Sequence, residues 1–265
     1  MRYAKKSLGQ NFLIDKNIAN KISKLDDIFN QNIFEIGPGS GNLTDIISKK
    51  KPKTFSMVEK DKKFYKILKE KYYREKNFEI INDDILEYDL NNYKQRNVII
   101  FGNLPYNIST QILAKFIKIK IWPPFYKKII FMFQSEVADK ILARSKTNKF
   151  GRITILSNLR LEVIDSFKIS KKSFFPEPKV DSKIIVFKPK DKIKFNISNI
   201  ENLEKITQIF FSSKRKMINK AFKKIFKNYE EIAFKLNINL KSRPSDLPSE
   251  TYYKLTEIFE KNNKI

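Results

Sequence analysis

Three of the six glycines in this chain fall in one short segment, Glu35-Ile-Gly-Pro-Gly-Ser-Gly41. An average chain contains about 7% glycine, so in a sequence this poor in glycine the remaining ones mark positions where a side chain does not fit. The stretch before the cluster, Asn32–Ile36, predicts a short buried strand, and the stretch after it, Asn42–Lys50, predicts a helix with one apolar face. A strand, a glycine-rich turn and a helix in this order are typical of an open α/β sheet that binds a ligand at the turn.

The spacing of the glycines distinguishes this turn from two common nucleotide-binding loops. Its pattern is G-x-G-x-G, whereas dinucleotide-binding dehydrogenases use G-x-G-x-x-G, and no G-K-[ST] follows to hold a triphosphate. The next predicted strand, Thr54–Glu59, ends in an acid about 20 residues after the first glycine, where a carboxylate grips the ribose hydroxyls of a nucleoside. A further predicted strand, Phe78–Ile81, leads to Asp84, which is placed to accept a hydrogen bond from an adenine amino group. An adenosine site without a phosphate-binding lysine favours S-adenosylmethionine as the ligand.

The chain has no histidine and no cysteine. Their absence excludes the Ser–His–Asp and Cys–His hydrolases, iron–sulfur clusters and cysteine-based zinc sites, and it removes the commonest metal ligand. Methylation at pyrimidine C5, which relies on a cysteine nucleophile, is excluded as well. We therefore expect no metal site, and a chemistry that uses carboxylates, amides, hydroxyls, aromatic rings and backbone groups.

A predicted central strand, Asn97–Phe101, leads into the tetrapeptide Asn103-Leu104-Pro105-Tyr106. An adenine amino nitrogen is a poor nucleophile because its lone pair is conjugated with the ring. The Asn103 side-chain oxygen and the Leu104 backbone carbonyl would accept its two protons as hydrogen bonds and so turn the lone pair towards a methyl donor. Pro105 stiffens the loop, and Tyr106 stacks on the base through its ring face, so Tyr106→Phe is expected to be mild. The tetrapeptide therefore predicts methylation of an exocyclic amine.

Four separated segments resemble signatures of the ribosomal RNA adenine dimethyltransferase family. They are Lys6–Asp15, Glu35–Thr44, Phe101–Thr110 and Ser173–Ser182, and their order and spacing are similar to those of the family. The resemblance implies an α/β fold, a Rossmann-like class I S-adenosylmethionine-dependent methyltransferase sheet with a small all-helical C-terminal domain. It also implies transfer of methyl groups to N6 of two adjacent adenines near the 3′ end of small-subunit (16S) ribosomal RNA. The product would be N6,N6-dimethyladenosine, made during small-subunit biogenesis.

The resemblance assigns roles to individual residues. It implies that Asn11 and Leu13 close over the methionine part of the cofactor and that Phe174 stacks on the flipped target base opposite Tyr106. Phe174 is alternatively an ordinary core aromatic, since Phe175 is adjacent to it. The remaining implied cofactor contacts are the Gly37 and Gly39 loop, Glu59 at the ribose, Asp84 at the adenine, and Asn103, which would touch both cofactor and amine. At Gly39 a valine is expected to fill the space that the cofactor needs.

The net charge and the helical pattern suggest where RNA binds. Lys and Arg number 54 against 29 Asp and Glu, which gives a net charge of +25 and favours a polyanionic partner. About half of this excess is attributable to a lysine-rich composition bias. Alternating strands and helices predict a catalytic domain over residues 1–189, and helical periodicity predicts a second domain over residues 190–265 that contacts RNA. Its basic segment, Lys214, Arg215 and Lys216, resembles a family segment and is the candidate RNA-binding site.

Two other functions stay open at this stage. One is a large-subunit ribosomal RNA adenine N6-methyltransferase of the macrolide-resistance type, and the other is a non-catalytic RNA-binding assembly factor. No apolar run approaches the roughly 20 residues of a membrane-spanning helix, and the N-terminus does not resemble a secretion signal. We expect a cytoplasmic monomer whose partner is ribosomal RNA within the small subunit.

Overall fold

The computed structural model describes residues 10–262, so the part of the first family segment at residues 6–9 lies outside the described residues. The described residues form two compact units, one of residues 10–138 and 162–189 and the other of residues 139–161 and 190–262. The predicted boundary after residue 189 coincides with this division. The prediction is wrong for residues 139–161, which it placed in the first domain and which pack within the second unit.

A seven-stranded sheet forms the core of the first unit. Its strands have the order β4-β3-β2-β5-β6-β9-β7, with parallel pairing from β4 through to β6 and antiparallel pairing between β6 and β9. The bounds of these strands are β2 Asn32–Ile36, β3 Thr54–Val58, β4 Phe78–Ile81, β5 Val98–Asn103, β6 Tyr126–Gln134, β7 Leu161–Ile169 and β9 Ser182–Pro189. Two short strands, β1 Phe12–Leu13 and β8 Phe174–Phe175, form a separate antiparallel pair.

The central strands are continuous apolar runs because both faces of the sheet are covered. Residues 98–101 of β5 have no measurable exposure, and the apolar residues of β2 and β6 are equally buried. The helices of this part of the chain are α1 Lys16–Ser23, α2 Asn42–Ser48, α3 Lys62–Lys71, α4 Ser109–Ile117 and α5 Ser135–Ile141.

The strand order places a ligand crevice between β2 and β5. From β2 the chain runs outward through β3 and β4 and then returns to β5 on the other side of β2. In open α/β sheets, ligands bind beyond the carboxyl ends of the strands at such a reversal. The glycine turn follows β2, and Asn103 ends β5. The two motifs that the sequence singles out therefore face each other across the crevice.

The second unit is helical, as the periodicity predicts. Its helices are α6 Arg152–Arg160, α7 Ile200–Phe211, α8 Asn219–Ile225, α9 Tyr229–Lys235 and α10 Ser249–Asn262. Helix α6 packs against α7 and α10, which explains why residues 139–161 belong here although they interrupt the sheet in sequence. The Phe210 ring packs edge-on against the rings of Phe222 and Tyr252. No helix within residues 10–262 is long and apolar enough to cross a membrane.

Candidate active site

A cavity lies in the first unit at the carboxyl ends of β2, β3 and β5. Its volume is about 1020 Å³ when the space open to solvent is included. It is lined by Gln10–Phe12, Ile36, Gly37, Gly39, Val58–Lys60, Asp83–Leu86 and Asn103–Ile108. Nine of the residues singled out from the sequence thus lie on one wall or another of the same cavity: Asn11, Gly37, Gly39, Glu59, Asp84, Asn103, Leu104, Pro105 and Tyr106.

The glycines of the turn adopt backbone conformations that favour glycine. Gly37 and Gly39 have φ values of +61° and +55°. A Cβ added at Gly37 would meet no atom within 4 Å, whereas a Cβ at Gly39 would lie 2.9 Å from Cε1 of Phe12. A side chain at Gly39 therefore collides with the Phe12 ring. That it also fills space needed by the cofactor stays a prediction. Gly37 is the position at which an added side chain enters open space.

Glu59 is fixed at the cavity wall by backbone groups. Its Oε2 accepts from the Gly39 N–H at 2.9 Å, and its Oε1 accepts from the Asp61 N–H at 2.7 Å. Burial raises the pKa of Glu59, and these two hydrogen bonds oppose the increase. Each carboxylate oxygen has a second lone pair. Glu59 can therefore keep the glycine turn in place and still accept hydrogen bonds from a ligand.

A second buried acid supports the same turn, and the sequence analysis missed it. Glu35 is at the end of β2, and its Oε2 accepts a hydrogen bond from Thr44 Oγ1 at 2.8 Å. Burial raises the pKa of Glu35 to about 8, so its side chain is largely protonated at neutral pH. Both Glu35 and Thr44 belong to the glycine segment that resembles the family. Their place in this segment was the sequence feature from which a role could have been predicted.

Asp84 lies at another wall of the cavity, where Lys60 pairs with it. The Lys60 Nζ–Asp84 Oδ2 distance is 2.6 Å, and Asp84 Oδ1 accepts from the Leu86 N–H at 3.0 Å. Partial burial acts to raise the pKa of Asp84, but the hydrogen bonds from Lys60 and Leu86 outweigh it and the pKa falls. Asp84 is therefore ionised at neutral pH. Lys60, directly after Glu59, is a cavity residue that the sequence analysis did not identify.

The Asn103 side chain has a defined orientation. Its Nδ2 donates to the backbone carbonyl of Asn11 at 2.9 Å. Because a carbonyl only accepts, the atom that faces Asn11 must be the amide nitrogen. The Oδ1 atom is then the end of the amide that is available as an acceptor, which is the atom that the proposed amine contact requires.

Tyr106 is held by a residue far from it in sequence. Its hydroxyl lies 2.7 Å from Oγ of Ser182, which is the last residue of the fourth family-like segment. Burial raises the pKa of Tyr106, and the hydrogen bond with Ser182 opposes the increase. Tyr106 is therefore neutral near pH 7. The sequence analysis quoted Ser182 but gave it no role.

Leu13 and Phe174 do not lie on the cavity wall. They are opposite each other in the β1–β8 pair, and they are only 4% and 2% exposed. Opposed residues of such a pair point to the same side, and this pair points into the hydrophobic core. Phe12 and Phe175 form the neighbouring pair on the other side, and Phe12 does line the cavity. Contacts of Leu13 with the cofactor and of Phe174 with the base stay predictions that require these side chains to move.

The candidate RNA-binding residues are in the second unit, in the segment between α7 and α8. Arg215 and Lys216 are exposed. Lys214 is less exposed, and its Nζ donates to the Asn148 backbone carbonyl at 2.6 Å. Burial lowers the pKa of Lys214, and the nearby Lys140 adds to the effect. Lys214 therefore differs from Arg215 and Lys216 in exposure and in its hydrogen bond to the backbone.

Comparison with known proteins identifies the family to which this chain belongs. A family model described as "Ribosomal RNA adenine dimethylase" matches residues 1–261. The chain belongs to the ribosomal RNA adenine dimethylase family. It is 47% identical over 258 residues to the ribosomal RNA small subunit methyltransferase A of Pelagibacter ubique (strain HTCC1062), with 97% of each chain covered. It is 36% identical over 257 residues to the protein of the same name from Malacoplasma penetrans (strain HF-2), with 96% and 91% covered.

Solved structures agree with this family assignment. A dimethyladenosine transferase from Plasmodium falciparum has a TM-score of 0.76 at 25% identity, with 94% of this chain and 98% of that chain covered. The 23S rRNA methyltransferase ErmE has a TM-score of 0.68 at 21% identity, with 94% and 100% covered, and shows the fold alone. The Rossmann-like class I methyltransferase fold is confirmed. Family membership also confirms the expected class of enzyme, a ribosomal RNA adenine dimethyltransferase, and S-adenosylmethionine as its methyl donor.

Proposed function

We propose that this protein dimethylates N6 of two adjacent adenines near the 3′ end of small-subunit ribosomal RNA. One observation carries the proposal: a single cavity brings together the glycine turn, Glu59 and the tetrapeptide Asn103–Tyr106. The two relatives described above are both named for the small ribosomal subunit. The protein therefore acts during small-subunit biogenesis.

The residues of the cavity fit S-adenosylmethionine. The open space beside Gly37 leaves room for a ligand against the backbone. Glu59 would hold the ribose hydroxyls, and Asp84 would accept from the adenine amino group. Asn11 and Asn103 would lie at the methionine end, where they are already hydrogen-bonded to each other. When bound, S-adenosylmethionine supplies a methyl group on a positively charged sulfur.

The tetrapeptide prepares the target amine for attack. The Asn103 Oδ1 and the Leu104 carbonyl accept hydrogen bonds from the two amino N–H groups, and the nitrogen lone pair is thereby directed at the methyl donor. Tyr106 stacks on the base and fixes the ring plane. The methylated nitrogen carries a positive charge and loses a proton to water, so that a chain without histidine can complete the reaction. The second methyl transfer uses one of these two acceptors, because one amino N–H remains after the first.

The second unit supplies affinity for the RNA backbone. Arg215 and Lys216 would contact phosphates, and Lys214 would support the segment that carries them. The enzyme acts as a monomer, needs no metal ion, and works in the cytoplasm, where the small subunits are assembled. Phosphate contacts position the substrate, while the cavity selects the base.

Methyl transfer to different ribosomal substrates tests the proposal. Methyl-labelled S-adenosylmethionine is incubated with the protein and with small subunits that lack the modification, with large subunits, or with naked ribosomal RNA. We expect label in the small subunits, recovered as N6,N6-dimethyladenosine near the 3′ end of the RNA. Label confined to the large subunit would support the macrolide-resistance type of enzyme. Binding of small subunits without any label transfer would support an assembly factor.

A further inference from the structure

The hydroxyl of Tyr106 contacts a side chain that the methyl-transfer scheme does not use. The Tyr106 and Ser182 hydroxyl oxygens are 2.7 Å apart, although the residues are 76 positions apart in the chain. Ser182 is fully buried. It begins β9, and it is in register with Gln134 of β6. A hydroxyl at this place in a packed sheet has a fixed position, so it can anchor a side chain that belongs to a loop.

Tyr106 needs such an anchor because of where it lies. It is in the loop that joins β5 to α4, and it lines the cavity. A tyrosine side chain has two rotatable torsions, and a hydrogen bond at its hydroxyl holds the direction of the ring axis, which χ1 sets. Because a phenol O–H prefers to lie in the plane of the ring, the direction of that bond also favours one value of χ2. The hydrogen bond with Ser182 therefore holds the ring axis in place and favours one ring plane before a base arrives. A ring that has to be ordered during binding instead costs free energy and lowers the population of productive complexes.

The segment that ends at Ser182 also supports the other functional side chain of the tetrapeptide. Its second residue, Phe174, pairs with Leu13 of β1. Asn11, just before β1, accepts the hydrogen bond from Asn103 Nδ2. The segment Ser173–Ser182 is thus linked to both side chains. Near its start it pairs with β1, which follows the Asn11 carbonyl that binds Asn103, and at its end Ser182 contacts Tyr106. This arrangement ties both side chains to the same piece of backbone.

We propose that Ser182 is a positioning residue for methyl transfer, which acts by holding the Tyr106 ring in the orientation on which the target adenine stacks. The proposal rests on the proposed function, since it concerns the base that this reaction modifies. It revises the expectation that Tyr106→Phe is mild. A phenylalanine leaves the buried Ser182 hydroxyl without this partner and frees the far end of the ring.

A second buried Tyr–Ser pair provides a matched control. Ser56 of β3 is buried, and it accepts a hydrogen bond from the Tyr93 hydroxyl at 2.9 Å. Neither Ser56 nor Tyr93 lines the cavity. Ser182→Ala and Ser56→Ala each remove a Tyr–Ser hydrogen bond from the same unit, and Ser56→Ala also removes the longer bond that Ser56 Oγ donates to Glu79 Oε2 at 3.4 Å. A purely structural role for Ser182 therefore predicts that Ser182→Ala slows methyl transfer no more than Ser56→Ala does.

Single-turnover methylation of small subunits distinguishes a positioning role of Ser182 from a purely structural one. We expect Ser182→Ala to lower the rate about 3- to 10-fold, and Ser56→Ala to keep the wild-type rate, with comparable melting temperatures for the two variants. Cofactor affinity should be unchanged in both. Tyr106→Phe should match Ser182→Ala, and the double variant should be no slower than either single variant, because both changes remove one bond. Equal slowing by Ser182→Ala and Ser56→Ala, or additive slowing in the double variant, would overturn the proposal.

A measurement independent of activity distinguishes failure of this proposal from failure of the proposed function. With 3-fluorotyrosine incorporated, the Tyr106 fluorine signal is the one missing from Tyr106→Phe. We expect Ser182→Ala to shift or broaden this signal and Ser56→Ala to leave it in place. If wild-type protein transfers no methyl group while the signal responds in this way, the proposed function fails and the anchor is supported. If wild-type protein is active and the Tyr106 fluorine signal is unchanged in Ser182→Ala, the proposed positioning role of Ser182 is wrong.

Discussion

Gly37 and Gly39 share a left-handed backbone but limit substitution for different reasons. Any L-residue at either position is strained by about 1–2 kcal/mol. Only at Gly39 does an added Cβ also press on the ring of Phe12, which itself lines the cavity. The glycine cluster and its place in the fold were predictable from the sequence. The neighbour of each glycine was not, because the position of Phe12 depends on the pairing of β1 with β8.

A double-mutant cycle with Phe12 tests this difference. We expect Gly39→Ala and Phe12→Ala together to lower the free energy of unfolding by less than the sum of their separate effects, since removing the ring relieves the contact. The coupling should be about 0.5–3 kcal/mol, and Gly37→Ala with Phe12→Ala should show none. Urea unfolding of the single and double variants provides the measurement. Additive effects at Gly39 would show that its contact with Phe12 has no energetic consequence.

Among the elements, α10 has an acid that ties it to the residues before α7. The Glu260 carboxylate accepts hydrogen bonds from the backbone N–H groups of Ser198 and Asn199 at 2.8 and 3.0 Å and from Asn202 Nδ2 at 3.0 Å. Burial acts to raise the pKa of Glu260, but the hydrogen bonds from Asn202 and Ser198 outweigh it and lower the pKa. The ionised form is therefore stabilised by folding.

Glu260→Gln should reduce the free energy of unfolding at pH 7 by about 1–3 kcal/mol, because its amide nitrogen would face N–H donors. A lowered folded-state pKa contributes stability that is present above the unfolded value of 4.5 and is lost as the pH falls through the folded value. The difference between variant and wild type should therefore shrink as the pH falls below 4.5. Glu257→Gln is the control, since Glu257 of the same helix accepts from the Asn196 N–H. Equal losses for both variants across this pH range would contradict the role given to Glu260.

Strong local patterns allowed several elements to be predicted to the residue. The strands Asn32–Ile36 and Phe78–Ile81 have the predicted bounds. The sequence analysis did not identify α1 and α3, although each has an apolar face, with Ala19 and Ile22 buried in α1 and Phe64 and Leu68 buried in α3. Nor did it identify the β1–β8 pair, since two-residue strands far apart in sequence leave no periodic signal. That pair decides which of its residues face the cavity, and so the predicted roles of Leu13 and Phe174 depended on information that local sequence does not contain.

At the scale of the whole molecule, the chain leaves the first unit at residue 139 and returns at residue 162. Sequence periodicity could not predict this excursion, because α6 continues the alternation of strands and helices and only its packing assigns it to the second unit. The excursion also supplies Asn148, whose carbonyl accepts from Lys214. Within the basic segment, the exposed Arg215 and Lys216 are therefore better placed than Lys214 to bind phosphates.

Salt dependence of subunit binding tests this division among the three basic residues. Each lost phosphate contact should reduce the slope of log K against log salt by about 0.7–0.9. We expect Arg215→Ala/Lys216→Ala to flatten the slope accordingly, and Lys214→Ala to change it less while lowering the melting temperature. Lys62→Ala/Lys66→Ala, on the exposed face of α3, serves as a control of equal charge. A slope that is the same in wild type and in Arg215→Ala/Lys216→Ala would mean that these residues face solvent rather than RNA.

The single-turnover rate of Asn103→Ala tests most directly whether this cavity performs the methyl transfer. Asn32→Ala is the matched control, because its Nδ2 also donates to a backbone carbonyl, that of Arg96, at 2.9 Å. Asn32 is at the amino end of β2, whereas Asn103 is at the carboxyl end of β5. Removing an oriented hydrogen-bonding group from a reaction centre commonly costs on the order of 100-fold in rate. We expect a loss of at least about this size for Asn103→Ala, with near wild-type affinity for the small subunit and a wild-type rate for Asn32→Ala. A wild-type rate in Asn103→Ala would contradict the proposed chemistry.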